Sequence, residues 1–452
     1  MNSAAPETEV RPSTDIRPQS ALSSDGVLLA GWTAFIGLLV AGQERMGPLA
    51  SGDLAIAILL AAFAACLFAR RGRWTRTALD PIVGLWTILS LGWCALGLHR
   101  QSLSPNPYDF MLYGGGPYGP IHLLAVQIGA SAAYYLAVWT IDATRHGDAS
   151  AAPLTASLEI ASAITLFLCI SEPIRLHNPS ARIEAGFTNA NLLGSFLVLM
   201  IPAVLAQLLL SPTNTATRAV RGCLVAALLG ALMMTRSRGA ESGMAIGLVV
   251  IVVAWASRIH AGKRLRRSVL ATCAVLACVA LGYLATSHHG LGDYLDHSRS
   301  DGQRRIAWRA GCMLIARNPL TGVGLGAFPA AMVGLGLREP NPFTRSGLPE
   351  ISARHVHAHN VALQAGAERG IAGIALLAAA GVVLLRRALR LFRDASLCPA
   401  AIGGAAAIAA WTVQNMADYT AWLPAIAIVL AIQIAVVMHG DRSRAILKSE
   451  RS

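Results

Sequence analysis

About twelve apolar runs, each of roughly 17–21 residues, divide this chain, and little but short loops separates most of them. Inside a bilayer no water is present to satisfy backbone N–H and C=O groups, so each run must close its hydrogen bonds within itself. Each is long enough as a helix to cross a hydrocarbon core of about 30 Å. The runs lie near 27–43, 53–69, 80–98, 121–141, 153–171, 191–210, 219–235, 240–257, 268–286, 371–387, 399–418 and 423–439. Composition points the same way: 13% of the 452 residues are charged, against about 25% in soluble domains. The expected fold is an all-α polytopic membrane protein. A soluble enzyme is excluded, and so is a barrel of alternating strands, whose ten-residue pattern is not seen.

Lys and Arg set the orientation. With the N-terminus inside, the basic clusters Arg70–Arg76, Arg258–Arg267 and Arg386–Arg393, with both tails, fall on the cytoplasmic side. The short outer loops hold only Arg45, Arg100, Arg175, Arg182, Arg236 and Arg238. That asymmetry is the positive-inside pattern, and it accounts for the net charge of +13 without nucleic acid. The segments are then a cytoplasmic tail at 1–26, nine spans over 27–286, one large outer loop at 287–370, three spans over 371–439 and a second tail at 440–452. The eight cysteines mostly lie in apolar runs and show no CxxC metal spacing or disulfide framework. No internal repeat is evident, which weakens a transporter reading.

The loop 287–370 is the only long polar interval, and it concentrates arginines and histidines. Its first marked segment is Gly302–Pro319, where Ile306, Ala310, Met313 and Leu314 recur at helical spacing. This predicts an amphipathic helix lying on the outer leaflet, with Arg304 and Trp308 on one face and Arg305 and Arg309 beside them. Asn318-Pro319 ends it, and Gly322, Gly324 and Gly326 follow as a flexible loop. The second segment is His355-Val-His-Ala-His359-Asn360, in which alternate histidines on extended chain face one side. Imidazole titrates near neutral pH and suits a general base; three histidines also suit zinc or copper. Asn360 is placed to cap the helix that follows.

Outside that loop, Arg236 and Arg238 flank Ser237 in a tight outer turn. Two guanidiniums at a membrane surface suit a pyrophosphate, since Arg donates bidentate bonds to phosphate oxygens; the alternative is snorkelling to the interface. Asn189 and Asn191 close another outer loop, where they either contact sugar hydroxyls or cap the next span. Glu159, Glu172, Glu241 and Asp418 are acids in or near spans, with no evident proton path.

Taken in order, three of these stretches resemble the O-antigen ligase and polymerase superfamily of bacterial envelope enzymes. They are Ser237-Arg238-Gly239; Arg304-x-x-x-Trp308 leading to Asn318-Pro319-Leu320-x-Gly322-Val323-Gly324-x-Gly326-x-Phe328; and His359-Asn360-x-x-Leu363-Gln364-x-x-x-Glu368-x-Gly370. The resemblance implies transfer of a glycan from undecaprenyl pyrophosphate to an acceptor hydroxyl on the periplasmic face of the inner membrane, with inversion and without metal or other cofactor. The acceptor would be lipid A core, a growing glycan or a protein side chain. By the same resemblance His359 is the base and Arg238 and Arg304 hold the leaving pyrophosphate, with Arg236 and Arg305 as the neighbours that each assignment leaves open. Asn189, Asn191, Asn360, Glu368 and Trp308 are the expected glycan or acceptor contacts. A flippase of lipid-linked sugars and a non-catalytic membrane anchor are the readings from other classes.

Overall fold

The computed structural model describes residues 29–36, 56–64, 76–103, 119–143, 151–176, 182–187, 189–258, 290–339, 351–352, 355–393 and 398–439. The helices are α1 (Asp80–Ser102), α2 (Pro120–Ala143), α3 (Ala152–Leu176), α4 (Ala190–Leu210), α5 (Thr215–Met234), α6 (Arg238–Arg258), α7 (Gly290–Arg317), α8 (Phe328–Val333), α9 (Val361–Arg393), α10 (Pro399–Gln414) and α11 (Pro424–His439). Helical stretches at 29–36 and 56–64 precede α1. A two-residue antiparallel ladder, Arg338–Glu339 against Ile351–Ser352, is the one departure from helix among the described elements.

Seven helices, α1–α6 and α9, are long and apolar enough to cross a membrane, so the chain is an all-α polytopic membrane protein. Against the expected twelve spans, seven such helices stand among the described residues. The expected spans 27–43 and 53–69 appear only through their helical parts, and the expected span 268–286 lies outside the described residues, as do both tails. Helices α10 and α11 have 16 residues each, about 24 Å at 1.5 Å per residue.

Helix α4 is apolar on all sides and buried along most of its length, the pattern of a central helix. Helix α10 lies against α4 and α6 through glycine and alanine. A Cβ on Gly403 would sit 2.9 Å from Ala203 Cα, and one on Gly243 2.3 Å from the Ala410 carbonyl oxygen. Lipid tails are as apolar as leucine, so it is this close approach of small residues that favours association here.

Two boundaries differ from the sequence expectation, and both matter for the site. Helix α9 begins at Val361, ahead of the expected 371, and kinks at Gly370 (φ 64°). The Pro319–Leu320 backbone is wedged into the kink: Ile371 N donates to Pro319 O at 2.7 Å, and a Cβ on Gly370 would lie 2.4 Å from Leu320 O. Helix α10 stops at Gln414, short of the expected 418. Asn415 ends it because its Oδ1 accepts from Thr420 N and Oγ1 at 2.8 and 3.0 Å, a local bond that competes with further helix. Residues 415–423 are thereby released as a loop.

The amphipathic helix forms within α7, but its apolar stripe does not face lipid. Ala310 and Leu314 pack against Val323, Phe328, Met332, Ala358 and Ala367. The chain itself covers the surface expected to rest on the leaflet.

Candidate functional site

The glycine loop is the floor of the site, and it is pinned where flexibility was expected. Gly322, Gly324 and Gly326 all have positive φ (66°, 97° and 71°), a region open to glycine at no steric penalty. Val323 N donates to Ala367 O at 2.8 Å, Gly324 N to Glu368 O at 2.9 Å and Leu325 N to Trp93 O at 2.8 Å. Glu368 Oε1 accepts from Gly326 N at 2.8 Å, and the residue is 1% exposed. Glu368, expected as a glycan or acceptor contact, is buried and fastens this loop.

Above it the histidine segment enters α9. Asn360 caps the helix, its Oδ1 accepting from Ala362 N at 2.9 Å and Leu363 N at 3.0 Å. Its Nδ2 donates to Met416 O at 2.7 Å, and Val361 N donates to Asn415 O at 2.9 Å. The segment is thus tied to the loop that follows α10. His359 adopts a left-handed φ of 48°, which disfavours a non-glycine residue by roughly 1–2 kcal/mol, so the expected extended chain is broken there. The three imidazoles still gather: the His357 and His359 centroids are 4.1 Å apart, and those of His355 and His359 6.1 Å. His359 Nδ1 lies 3.5 Å from Asp418 Oδ1. Trp308 Nε1 donates to His359 O at 3.2 Å, so α7 holds the same residue from the other side.

The electrostatics separate the two inner histidines. Burial pushes His357 down to about 3, and the neighbouring His359 charge works in the same direction, as do the smaller effects of His355 and Arg304. His357 is a neutral support whose Nδ1 accepts from His359 N at 3.3 Å. Burial works to raise the Asp418 carboxyl, but its bond to His359, the His357 and His359 charges and the Tyr419 amide outweigh burial and hold it below the usual carboxylate range. Asp418 is therefore a carboxylate facing His359.

A pH dependence of stability follows. His357 ordinarily titrates near 6.5 and in the fold near 3, so between those values the unfolded chain binds a proton that the folded chain refuses. The contribution is intact above about 6.5 and is lost as pH falls, at up to about 1.4 kcal/mol per pH unit. Thermal unfolding of the purified protein should show Tm falling from pH 7 to pH 5, and His357→Asn should flatten that part of the slope. An unchanged slope in the variant would assign the effect to other groups.

The arginine doublets are split by the fold. Arg304 is half-buried and its charge is felt by His357, whereas Arg305 and Arg309 are exposed. Arg238 is the half-buried first residue of α6, and Arg236 is exposed with φ 50°. The turn between them reaches the same corner of the molecule: Gly239 faces Gln414 at the end of α10, and Gln414 Nε2 donates to Asn191 O at 3.1 Å. All three sequence-marked stretches therefore converge where α10 ends. Asn189 caps α4 by accepting from Asn191 N at 2.7 Å, and Asn191 Oδ1 accepts from Arg182 Nη2 at 2.9 Å; these bonds favour the capping alternative over sugar contact. Arg182 also donates from Nε to Thr235 O at 2.8 Å, which brings a further guanidinium to the turn.

Of the acids near spans, only Asp418 reaches the histidines. Glu159 pairs with Arg221 at 2.9 Å between α3 and α5, Glu172 accepts from Glu184 N at 2.8 Å, and Glu241 lies in the first turn of α6. Sequence reasoning missed the role of Asp418, and it missed Arg369. The latter is buried beneath the site, its Cζ 5.0 Å from the Trp86 ring centroid and its Nη1 3.4 Å from Glu368 Oε2. Among the described residues, His357, His359 and Asp418 are close enough to share one cation. Against this, His357 Nδ1 already accepts the His359 amide and His359 Nδ1 already faces the carboxylate.

No curated protein matches this chain. Residues 223–378, from within α5 to within α9, match the family model for O-antigen ligase, and Arg236, Arg238, Arg304, Arg305, Trp308 and His359 all lie inside that stretch.

Proposed function

We propose that the protein is an inverting glycosyltransferase that moves a glycan from undecaprenyl pyrophosphate to an acceptor hydroxyl on the periplasmic face, without a metal. The observation that carries the reading is the His359–Asp418 pair, 3.5 Å apart, set beside Arg304 and Trp308 of α7 and near the Arg238 turn. Asp418 holds the Nδ1 side of the imidazole and leaves Nε2 to take the acceptor proton. The acceptor oxygen then forms its bond to the anomeric carbon as the bond to the pyrophosphate oxygen breaks on the opposite face. Negative charge grows on the leaving group, where Arg238 and Arg304 act; fixed donors of this kind stabilise charge that develops in a transition state. The carboxylate of Asp418 stabilises the imidazolium that results. Trp308 and Asn360 position the histidine segment, and the acceptor class is left to lipid A core, glycan or protein.

The arginine assignment is tested with lipid-linked donor and membranes carrying single variants. A hydrogen bond to a charged group contributes roughly 1.5–3 kcal/mol, so Arg304→Ala should slow transfer by about 10–100-fold. Arg304→Lys should recover only part of this, because the planar fork is lost. Arg305→Ala should be close to wild type. Equal losses at 304 and 305 would count against a pyrophosphate held by the inward arginine.

A further inference from the structure

A second basic site lies at the far end of the bundle. Helix α9 carries Arg386, Arg387 and Arg390 between 27 and 31 residues beyond His359, roughly 40–47 Å along a helix at 1.5 Å per residue. There the end of α9 meets the approach to α1 and the end of α11 around a cavity of about 220 Å³. The three arginines line it together with Thr77, Val383 and Met438, and among the described residues no carboxylate does. The acid one turn from Thr77, Asp80, is engaged: its Oδ2 accepts from Thr77 N at 2.7 Å, and its Oδ1 from Thr77 Oγ1 at 3.1 Å and Tyr134 OH at 2.9 Å. Arg387 Nε donates to Val437 O at 3.0 Å and so fixes one wall. Arg386 and Arg390, one turn apart, are exposed.

We infer that this cavity binds the phosphate headgroup of an anionic glycerophospholipid. Three guanidiniums in one recess suit a phosphodiester, which they meet with charge-assisted bonds. The headgroup of a zwitterionic lipid would bring its own cation into a recess lined by cations. The lipid origin of the phosphate follows from what surrounds the arginines. Val382, Leu385 and Leu389 of the same helix are 47%, 59% and 48% exposed, so an acyl chain has an apolar track beside the basic recess. Basic pockets between spanning helices recognise headgroups in this way. Bound there, the lipid joins the ends of α1, α9 and α11, and the inference holds whatever reaction the opposite end performs.

The test uses the full-length protein purified in neutral detergent, with Tm followed while phosphatidylglycerol, phosphatidylethanolamine or inorganic phosphate is titrated. Phosphatidylglycerol should raise Tm of the wild type and the other two should not. Arg386→Gln with Arg390→Gln should weaken the phosphatidylglycerol effect at least about tenfold, as expected from losing charged hydrogen bonds. Val383→Trp, which fills the recess and keeps every charge, should abolish it. Arg305→Gln with Arg309→Gln on α7 removes the same charge away from the recess and should leave it intact. Equal weakening by that control pair, full binding by Val383→Trp, or equal stabilisation by phosphatidylethanolamine would overturn the lipid site. Stabilisation by inorganic phosphate alone would replace it with a free-anion site.

Discussion

Replacing His359 by alanine should reduce glycan transfer by about 10²–10⁴-fold, the usual loss when a positioned general base is removed. Abundance and membrane insertion should stay normal, because the ring is partly exposed at the edge of the site and the backbone bonds of Asn360 and Val361 to Met416 and Asn415 remain. Asp418→Asn should also lower the rate, by less, since the base is still present but its partner no longer favours the imidazolium. His355→Ala should have a small effect. Activity should survive EDTA. If activity vanished in EDTA and returned with zinc, and if His357 and His359 were equally required, the three-ligand cluster would be a metal centre and the base assignment would fall. A flippase would show neither pattern, because donor display outside the membrane would then depend on these residues.

Gly324→Ala and Gly97→Ala should disrupt the site from below. Helix α1 crosses the glycine loop backbone to backbone: a Cβ on Gly97 would lie 2.1 Å from Leu325 O, and one on Gly324 would lie 2.3 Å from Gly97 N. Neither clash meets a side chain that can turn away. Overpacking of this kind destabilises by about 1–3 kcal/mol, and at Gly324 the φ of 97° adds roughly 1–2 kcal/mol more. Both variants should lose activity along with stability, because the same loop is tied to Glu368 and through it to the start of α9. Gly92→Ala on the same helix meets nothing within 4 Å and should be neutral or slightly stabilising. A Gly97 variant as stable as the Gly92 variant would mean that the crossing is looser than described.

The helices were legible in the sequence because lipid leaves a backbone few alternatives, and the seven full spans fall where apolar runs lie. Their ends were not legible. The apolar pattern continues past Gln414 and starts late for α9, whereas the helix boundaries are set by Asn415 and Asn360 side chains bonding to backbone. Helical spacing placed Arg304 and Trp308 on one face, and that face does turn toward the histidines. It did not choose between Arg304 and Arg305, because the choice depends on which side of α7 the chain covers. Asp418 was visible as an acid near a span end. Its meeting with His359 was not, since α9 and α10 lie between them. The glycine loop was misread for a related reason: glycine allows flexibility, but Gly97 of a distant helix uses its absent side chain for close packing.

On the proposed reading, the pairing of His359 with Asp418 also fixes when the protein becomes competent. The base precedes α9, and its carboxylate, with the carbonyls that anchor Asn360 and Val361, arrives only after α10 has been made. A growing chain that has inserted every helix up to α9 therefore holds the arginines and the imidazole in an unassembled state. Competence then waits on α10, whose packing beside α4 and α6 brings the loop 415–423 to the histidine segment. Chains interrupted before residue 415 would then be inserted yet inert, because the carboxylate and the carbonyls that anchor Asn360 and Val361 would be missing.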